Sequence, residues 1–302
     1  MEVLTRSASV RDRVRLWRSE GRRVALVPTA GTIHKGHMRL IAEAEDRADR
    51  IVVSLVADPQ DTGGSRGSGD LQGVRGPNAQ DGLQDVVASH HEADRALLQN
   101  VGAHVLFAPP VQEIFPVGTE LCARVDIAGL ATIFEGAHRP GHIGAGLTLL
   151  LKLINIVTPD AVVFGERDFQ QLVAVRQMIG DLFVSVEILS FPTFRETDGL
   201  AFASQNRWLT PDERLLAPQL YATLCRCAER IDAGERDYAG LERDGLAQLR
   251  AGGFDAEYFA IRQAADLAPV HTATRDLVLL AAAALGRVRL TDNHRVRIID
   301  RY

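Results

Sequence analysis

Five short apolar runs, rich in β-branched residues, recur over the first 192 residues of the chain. Runs of this kind are typical of strands that are buried on both faces in a parallel sheet. Helical patterns alternate with them, which predicts a doubly wound α/β domain with right-handed crossovers. The predicted strands are RRVALVP (22–28), RIVVSLV (50–56), AHVLFAP (103–109), DAVVFGE (160–166) and VSVEILSFP (184–192). The predicted helices lie at 35–48, 89–101, 144–157 and 168–181.

The pattern changes after about residue 195. Thr210 precedes Pro211, and Glu213 follows three residues after Thr210, which together are the signature of a capped helix start. We expect this amphipathic helix to continue to Gly234 and a second helix to cover 238–252. Three further segments that predict a small α+β domain lie at 255–263, 275–286 and 288–294.

The length of the chain fits this division. A chain of 302 residues is longer than one typical domain. Since the change of pattern falls between 190 and 197, we predict an α/β domain over 1–190 and a smaller α+β domain over 191–302.

Composition and charge are those of an ordinary globular protein, with 46% hydrophobic and 24% charged residues. The net charge of −5 gives no reason to expect a nucleic-acid partner, because such proteins usually carry a basic face. No apolar stretch approaches the roughly 20 residues of a membrane span, and the amino-terminal residues lack the apolar core of a signal peptide. We therefore expect a cytoplasmic protein with no membrane partner.

One glycine-rich, polar segment at 61–85 follows neither period and contains almost no large apolar residues. It leaves from the carboxyl end of the second predicted strand. A disordered insertion and a lid over a ligand are equally good interpretations of it.

Three polar motifs follow predicted strands directly. Ligands of doubly wound sheets bind beyond the carboxyl ends of the strands. The sequence therefore predicts that these motifs converge on one edge of the sheet. They are PTAGTIHKGH (28–37), ADPQD (57–61) and GERDFQQ (165–171).

His34 and His37 are three residues apart at the predicted start of a helix, so they share one face. A helix amino terminus offers free N–H groups and a positive dipole to a phosphate. Two imidazoles there can donate hydrogen bonds to a phosphate whose charge grows during a reaction. We prefer this interpretation to that of two histidines buried in a core.

The motifs as a set resemble those of the pantothenate synthetase family, the pantoate–β-alanine ligases. The resemblance runs in order along nearly the whole chain. The segments that carry it are VALVPTAGTIHKGHMRLI, FEGAHRPGHIGAG, VFGERDFQQL, RETDGLAFASQNRWLTPDER and RVRLTDN. His34-Lys35-Gly36-His37 also resembles the H-x-G-H signature of nucleotidyltransferase-type α/β enzymes.

This resemblance implies a Rossmann-like first domain that binds ATP and substrate, and a smaller second domain that closes over ATP as a lid. It also implies a homodimer and a reaction between two small molecules, a carboxylic acid and an amine. In that reaction a carboxylate attacks the α-phosphate of Mg²⁺-ATP, giving an acyl-adenylate and pyrophosphate, and an amine then displaces AMP. Because no covalent enzyme intermediate is involved, the protein supplies positioning and charge stabilisation.

Residue roles follow from the same resemblance. His34 and His37 are the predicted catalytic residues that stabilise adenylation. The residues implied to bind ATP are His34, Gly36, His37, Gly165, Arg167, Asp168, Ser204 and Gln205. The residues implied to bind substrate are Ala30, Asp58, Asp61, Gln171, Glu135 and Arg139.

For Glu135 and Arg139 we favour a structural ion pair over a direct substrate contact. No protein side chain is assigned as a metal ligand: Mg²⁺ arrives with ATP, and Asp168 is the candidate contact.

Several positions depart from the family pattern. Ala30 stands for a methionine, Asp58 for an asparagine and Asp61 for a glutamine, and no Y-P-R segment follows them. In the phosphate-binding segments Arg167 stands for a lysine and Gln205 for an arginine, and Ala203 replaces the first of two serines.

These departures leave more than one function open. We favour a working AMP-forming ligase with an altered acid or amine substrate. The alternative is a catalytically silent or regulatory homologue that binds a ligand or partner. A nucleotidyl transfer that stops at the adenylylated product is a third, weaker hypothesis.

Overall fold

The computed structural model describes residues 1–29, 33–56 and 95–298. Contacts between residues divide the chain into two compact units. The first consists of Met1–Glu166 and Ala174–Pro192, and the second of Arg167–Val173 and Thr193–Tyr302. No helix in the described ranges is long and apolar enough to cross a membrane. The predicted domain ranges and the closing role of the second domain stay predictions.

The first unit contains a six-stranded sheet in which neighbouring strands run parallel, in the order β1-β4-β3-β2-β5-β6. The predicted Rossmann-like fold is therefore confirmed. From β2 the chain adds β3 and β4 on one side, and it later adds β5 and β6 on the other side of β2. The pair β2 and β5 is therefore the topological switch point of the sheet. The strands are β1 (Glu2–Leu4), β2 (Val24–Thr29), β3 (Arg50–Leu55), β4 (Val105–Phe107), β5 (Ala161–Gly165) and β6 (Glu187–Phe191).

The segments that connect these strands form helices, because apolar residues recur in them at helical spacing and pack against the sheet. In α2, for example, Ile41 and Ala44 are fully buried in one cluster with Val27 and Val53 of the sheet. A helical segment at 95–99 precedes β4, and the start predicted for that helix lies outside the described residues. The other helices are α1 (Ser7–Ser19), α2 (Lys35–Glu45), α3 (Val111–Ile114), α4 (Phe134–His138), α5 (His142–Val157) and α6 (Phe169–Asp181), whose first turn belongs to the second unit.

The second unit contains an antiparallel sheet in the order β7-β8-β9 with three helices, which confirms the α+β prediction. The Thr210 capping box is present: the Thr210 hydroxyl accepts from the Glu213 N–H, and the Glu213 carboxylate accepts from the Thr210 N–H. The elements are α7 (Pro211–Leu216), α8 (Gln219–Asp232), α9 (Tyr238–Ala251), β7 (Asp255–Gln263), β8 (Asp276–Leu285) and β9 (Val288–Arg297).

The prediction of one continuous helix from Thr210 to Gly234 is wrong. The helix is interrupted at Ala217 and Pro218, where α7 ends and α8 begins. Pro218 has no N–H to donate to the carbonyl of Arg214, so the i→i−4 ladder cannot continue through it.

A close contact between α9 and β7 is a sensitive point of the second core. Gly245 is buried, and a Cβ at this position would lie 2.8 Å from atoms of the Phe259 ring. Phe259 is itself only 5% exposed, so its ring has little room to move away. Glycine is therefore required here for helix–sheet packing.

We expect Gly245→Ala to destabilise the second unit by about 1–3 kcal/mol, the usual cost of overpacking a core. The chain has two tryptophans, and in a Trp17→Phe background the remaining one, Trp208, reports on the second unit. Guanidinium unfolding followed by Trp208 fluorescence measures the change. The double variant Gly245→Ala/Phe259→Leu should lose less stability than the two single changes summed; simple additivity would contradict the contact.

Candidate active site

The carboxyl ends of β2 and β5 meet at the switch point of the first sheet. The strands pair directly, with Ala25 opposite Ala161 and Leu26 opposite Val162. The H-x-G-H segment follows β2, and Gly165 ends β5, so the starts of two of the three predicted motifs are at the same edge. The end of β5 also approaches α2, since a Cβ on Gly165 would lie 3.6 Å from a methyl group of Leu40. The third motif, at 57–61, lies outside the described residues.

His34 and His37 form a reciprocal cap at the start of α2. His34 is the N-cap residue, with extended backbone, and its Nδ1 accepts a hydrogen bond from the Gly36 N–H at 3.1 Å. His37 Nδ1 in turn lies 3.4 Å from the His34 N–H, which donates to it. Imidazoles thus take the positions that Ser or Thr and Glu occupy in the usual capping box.

This cap determines where the imidazole protons lie. Because Nδ1 of each ring accepts from the backbone, a neutral ring carries its proton on Nε2. The two rings are stacked, with centroids 3.9 Å apart and planes at 25°. Two neutral rings would therefore carry two Nε2–H donors at the positive end of the α2 dipole, an arrangement that suits a phosphate.

Arg167 and Asp168 lie in the second unit, in a 3₁₀ turn that leads into α6. The Arg167 guanidinium donates to the Asp168 carboxylate at 3.0 Å and to the carbonyl of Phe202 at 3.4 Å. The Arg167 carbonyl accepts from the side-chain amide of Asn293 at 2.8 Å. The Asp168 side chain is 58% exposed.

Gln171 lies one turn further on, in the first turn of α6, where it is half-buried beside the buried Gln170. It therefore belongs to the same part of the second unit as Arg167 and Asp168. Its role towards a substrate stays a prediction.

Ser204 and Gln205 begin a 3₁₀ helix (Ser204–Trp208) of the second unit. The Gln205 side-chain amide donates to the Arg289 carbonyl on β9 at 3.3 Å. In this geometry Gln205 ties the turn to the sheet, and its predicted contact with ATP stays a prediction.

Glu135 and Arg139 lie at the two ends of the short α4 in the first unit. The Arg139 N–H donates to the Glu135 carbonyl at 2.7 Å, and the Arg139 guanidinium lies 3.0 Å from Nε2 of His142. The predicted ion pair between the two side chains, and any contact with substrate, stay predictions. Ala30, Asp58, Asp61 and the 61–85 segment lie outside the described residues.

Sequence reasoning missed Asn293, although it contacts the turn that carries two of the predicted ATP-binding residues. The sequence did contain a signal, since Asn293 belongs to the RVRLTDN segment used for the resemblance. No role was assigned to it because a contact across 126 positions is not visible in local spacing.

The fold and the cap define an α/β protein of Rossmann-like class with an H-x-G-H segment at the start of α2. The model of the family described as pantoate-beta-alanine ligase matches residues 2–67 and 85–295. The chain belongs to this family, whose members are ATP-dependent C–N ligases. The unmatched residues 68–84 fall inside the glycine-rich segment at 61–85.

Individual relatives agree with this assignment. The chain is 42% identical over 276 residues to a pantothenate synthetase of Pseudomonas entomophila, covering 91% of each chain. It is 41% identical over 298 residues to that of Nitrosococcus oceani, covering 99% of each.

Two solved structures show the same fold. The pantothenate synthetase of Thermus thermophilus superposes with a TM-score of 0.83 at 34% identity, covering 97% of this chain and 99% of that one. A Francisella tularensis pantoate-beta-alanine ligase, complexed with beta-gamma ATP and beta-alanine, has a TM-score of 0.72 at 26% identity, covering 97% of each chain.

The cap geometry allows the role of His34 in helix capping to be tested separately from its predicted role towards a phosphate. His34→Ala removes the side-chain acceptor of the Gly36 N–H, and we expect it to destabilise the first unit by about 1 kcal/mol. His34→Asn keeps an N-cap acceptor and should lie within a few tenths of a kcal/mol of the parent. Trp17 fluorescence in a Trp208→Phe background reports the unfolding of the first unit. Equal stability of the Ala and Asn variants would contradict a capping role.

Proposed function

We propose that the protein is an AMP-forming carboxylate–amine ligase that works through an acyl-adenylate. The observation that carries this proposal is the stacked pair of imidazoles whose Nδ1 atoms cap the start of α2, which places their protons on Nε2. Such a site stabilises negative charge on phosphate oxygens, which is what nucleophilic attack at a nucleotide phosphate requires. Membership of a family of ATP-dependent C–N ligases supports the same reaction.

In the proposed first step, a carboxylate oxygen bonds to the α-phosphorus of ATP as the bond to the pyrophosphate oxygen breaks. His34 and His37 donate hydrogen bonds to the phosphate oxygens on which charge develops. In the second step, an amine nitrogen bonds to the acyl carbon, AMP leaves with the bond's electron pair, and the nitrogen loses a proton. The chain's own contribution is positioning and charge stabilisation.

Magnesium fits the proposal as a companion of the nucleotide. Within the described ranges no group of three or more His, Cys, Asp or Glu side chains could hold a metal ion. Mg²⁺ is commonly held by nucleotide phosphates and one or two carboxylates. Asp168, the exposed carboxylate beside Arg167, is the proposed protein contact, and the ion would neutralise phosphate charge during the attack.

Pantoate and β-alanine are the first substrates to consider, because the relatives at 41–42% identity are pantothenate synthetases. The proposal assigns phosphate contacts to His34 and His37 and nucleotide contacts to Arg167 and Asp168. It assigns the hydroxy acid to Gln171. We also expect a cytoplasmic homodimer, which sedimentation analysis would check.

A second candidate is the same chemistry on an altered acid or amine. The substitutions Ala30, Asp58 and Asp61 favour it, since the aspartates add negative charge that suits a cationic group on one substrate. Gln205 also replaces a charged residue, and its amide contacts the Arg289 carbonyl. A silent homologue remains the alternative to both forms of ligase.

One experiment distinguishes these functions. ATP–pyrophosphate exchange is measured with pantoate and with a panel of other carboxylic acids, and the amide product is then sought with β-alanine and other amines. Exchange with pantoate and formation of its β-alanine amide support the first candidate, and exchange with another acid alone supports the second. Absence of exchange across the panel, despite measurable ATP binding, would overturn the ligase proposal.

The histidine variants test the mechanism. We expect His34→Asn and His37→Ala each to lower the rate of exchange by about 10²–10³, the scale of a lost transition-state donor. For His34→Asn this loss should occur at nearly unchanged stability, because the cap is retained. Lys35→Ala, in the same helix turn but outside the two-ring cap, is the matched control. A His34→Asn variant with parental exchange would remove the histidines from the mechanism.

A further inference from the structure

Asn293 of β9 holds the turn that carries Arg167 and Asp168. Its side-chain amide donates to the Arg167 main-chain carbonyl at 2.8 Å. The bond is partly buried, and at its Asn293 end, where the residue is only 6% exposed, it is shielded from competing water. A hydrogen bond to a main-chain carbonyl fixes the plane of the peptide that joins Arg167 to Asp168. The directions of both side chains therefore depend on Asn293.

Asn293 is itself held by a buried ion pair. The carboxylate of Asp292 accepts two hydrogen bonds from Arg195, at 2.6 and 2.8 Å, and a third from the Asn293 N–H at 2.8 Å. The Arg195 guanidinium also donates to the Asn293 carbonyl at 3.2 Å. Arg195 and Asp292 thus hold the main chain on both sides of the Asn293 Cα, which fixes the point from which its side chain starts.

The guanidinium of Arg195 is held by an aromatic ring against its face and by a main-chain carbonyl at its edge. It lies 3.3 Å from the centre of the Tyr221 ring, and the Tyr221 hydroxyl lies 3.2 Å from Nδ1 of His294. Its Nη1 donates to the carbonyl of Gly199 at 3.1 Å. Gly199 has a φ of +94°, and a Cβ there would lie 3.3 Å from the Tyr221 ring, so glycine suits this approach.

The ion pair between Arg195 and Asp292 is buried, which strengthens its hydrogen bonds. The side chain of Asp292 is 3% exposed and that of Arg195 is 17% exposed. Burial raises the pKa of the Asp292 carboxyl, and the hydrogen bonds from Arg195 oppose that rise. The pair is bidentate, a geometry that an arginine supports and a lysine does not.

We propose that Asn293 is a positioning residue for nucleotide binding, which acts by fixing the Arg167–Asp168 peptide, with the Arg195–Asp292 pair holding Asn293 in place. This inference rests on the proposed function, because it takes Arg167 and Asp168 as nucleotide contacts. It assigns to β9 a role in the ATP site, although Asn293 touches the nucleotide only through another residue.

The test is titration calorimetry of the full chain with Mg²⁺-ATP in the absence of acid. We expect Asn293→Ala to weaken ATP binding about tenfold, the effect of one lost hydrogen bond. Gln263→Ala is the matched control. Gln263 lies on β7, another strand of the same sheet, and its side-chain amide also donates to a main-chain carbonyl, that of Pro269, at 3.2 Å. This variant should change ATP binding less than twofold.

A mutant cycle separates positioning from a general loss of stability. If Asn293 acts through Arg167, Asn293→Ala should weaken ATP binding less than about threefold in an Arg167→Gln background. Asn293→Leu, which removes the donor, keeps a similar branched shape and adds no charge, should behave as Asn293→Ala does. Trp208 fluorescence confirms that each variant is folded at the temperature of the titration.

The outcomes distinguish this inference from the proposed function. Parental ATP binding by Asn293→Ala, or fully additive effects in the cycle, would overturn the positioning role while leaving the ligase intact. A parent protein that binds no Mg²⁺-ATP would overturn the proposed function and this inference with it.

Discussion

The reciprocal hydrogen bonds between two imidazoles and the first turn of α2 are the interaction on which the site depends. They satisfy main-chain N–H groups that a helix start would otherwise leave unpaired. Because the same bonds occupy Nδ1 of both rings, they also place the two protons on Nε2. Helix capping and phosphate recognition are therefore two consequences of one arrangement, and a change at His34 affects both unless the new side chain retains the cap.

The sheet gives this cap its position. Val27 and Val53 of the central strands pack in the same cluster as Ile33 and Ile41, which flank the cap on either side in sequence. At the switch point between β2 and β5, the connections that follow the two strands lead to opposite sides of the sheet order. This leaves a crevice beyond the carboxyl ends of the two strands. Apolar packing thus fixes the direction of α2, and the direction of α2 fixes where the Nε2–H donors lie.

Much of the fold was predictable because its signals are local. The buried strands are continuous apolar runs, and the spacing of His34 and His37 is meaningful within one helical turn. β1 was missed because a three-residue strand with two exposed residues has no measurable period. The break at Pro218 was visible in the sequence, but the amphipathic pattern continues across it and suggested one helix. Asn293 and Asp292 could not be assigned roles from sequence, since their partners Arg167 and Arg195 are distant along the chain and meet them only in the folded second unit.

The most direct test of the account is the tautomeric state of the two histidines, measured by long-range ¹H–¹⁵N correlation on protein with labelled imidazoles. His34→Asn and His37→Ala spectra assign the two signals among the nine histidines. We expect both rings to be Nε2–H tautomers in the free protein, and both Nε2 resonances to shift when a non-hydrolysable Mg²⁺-ATP analogue binds. An Nδ1–H tautomer at either ring, or unchanged Nε2 resonances in the saturated complex, would contradict the account.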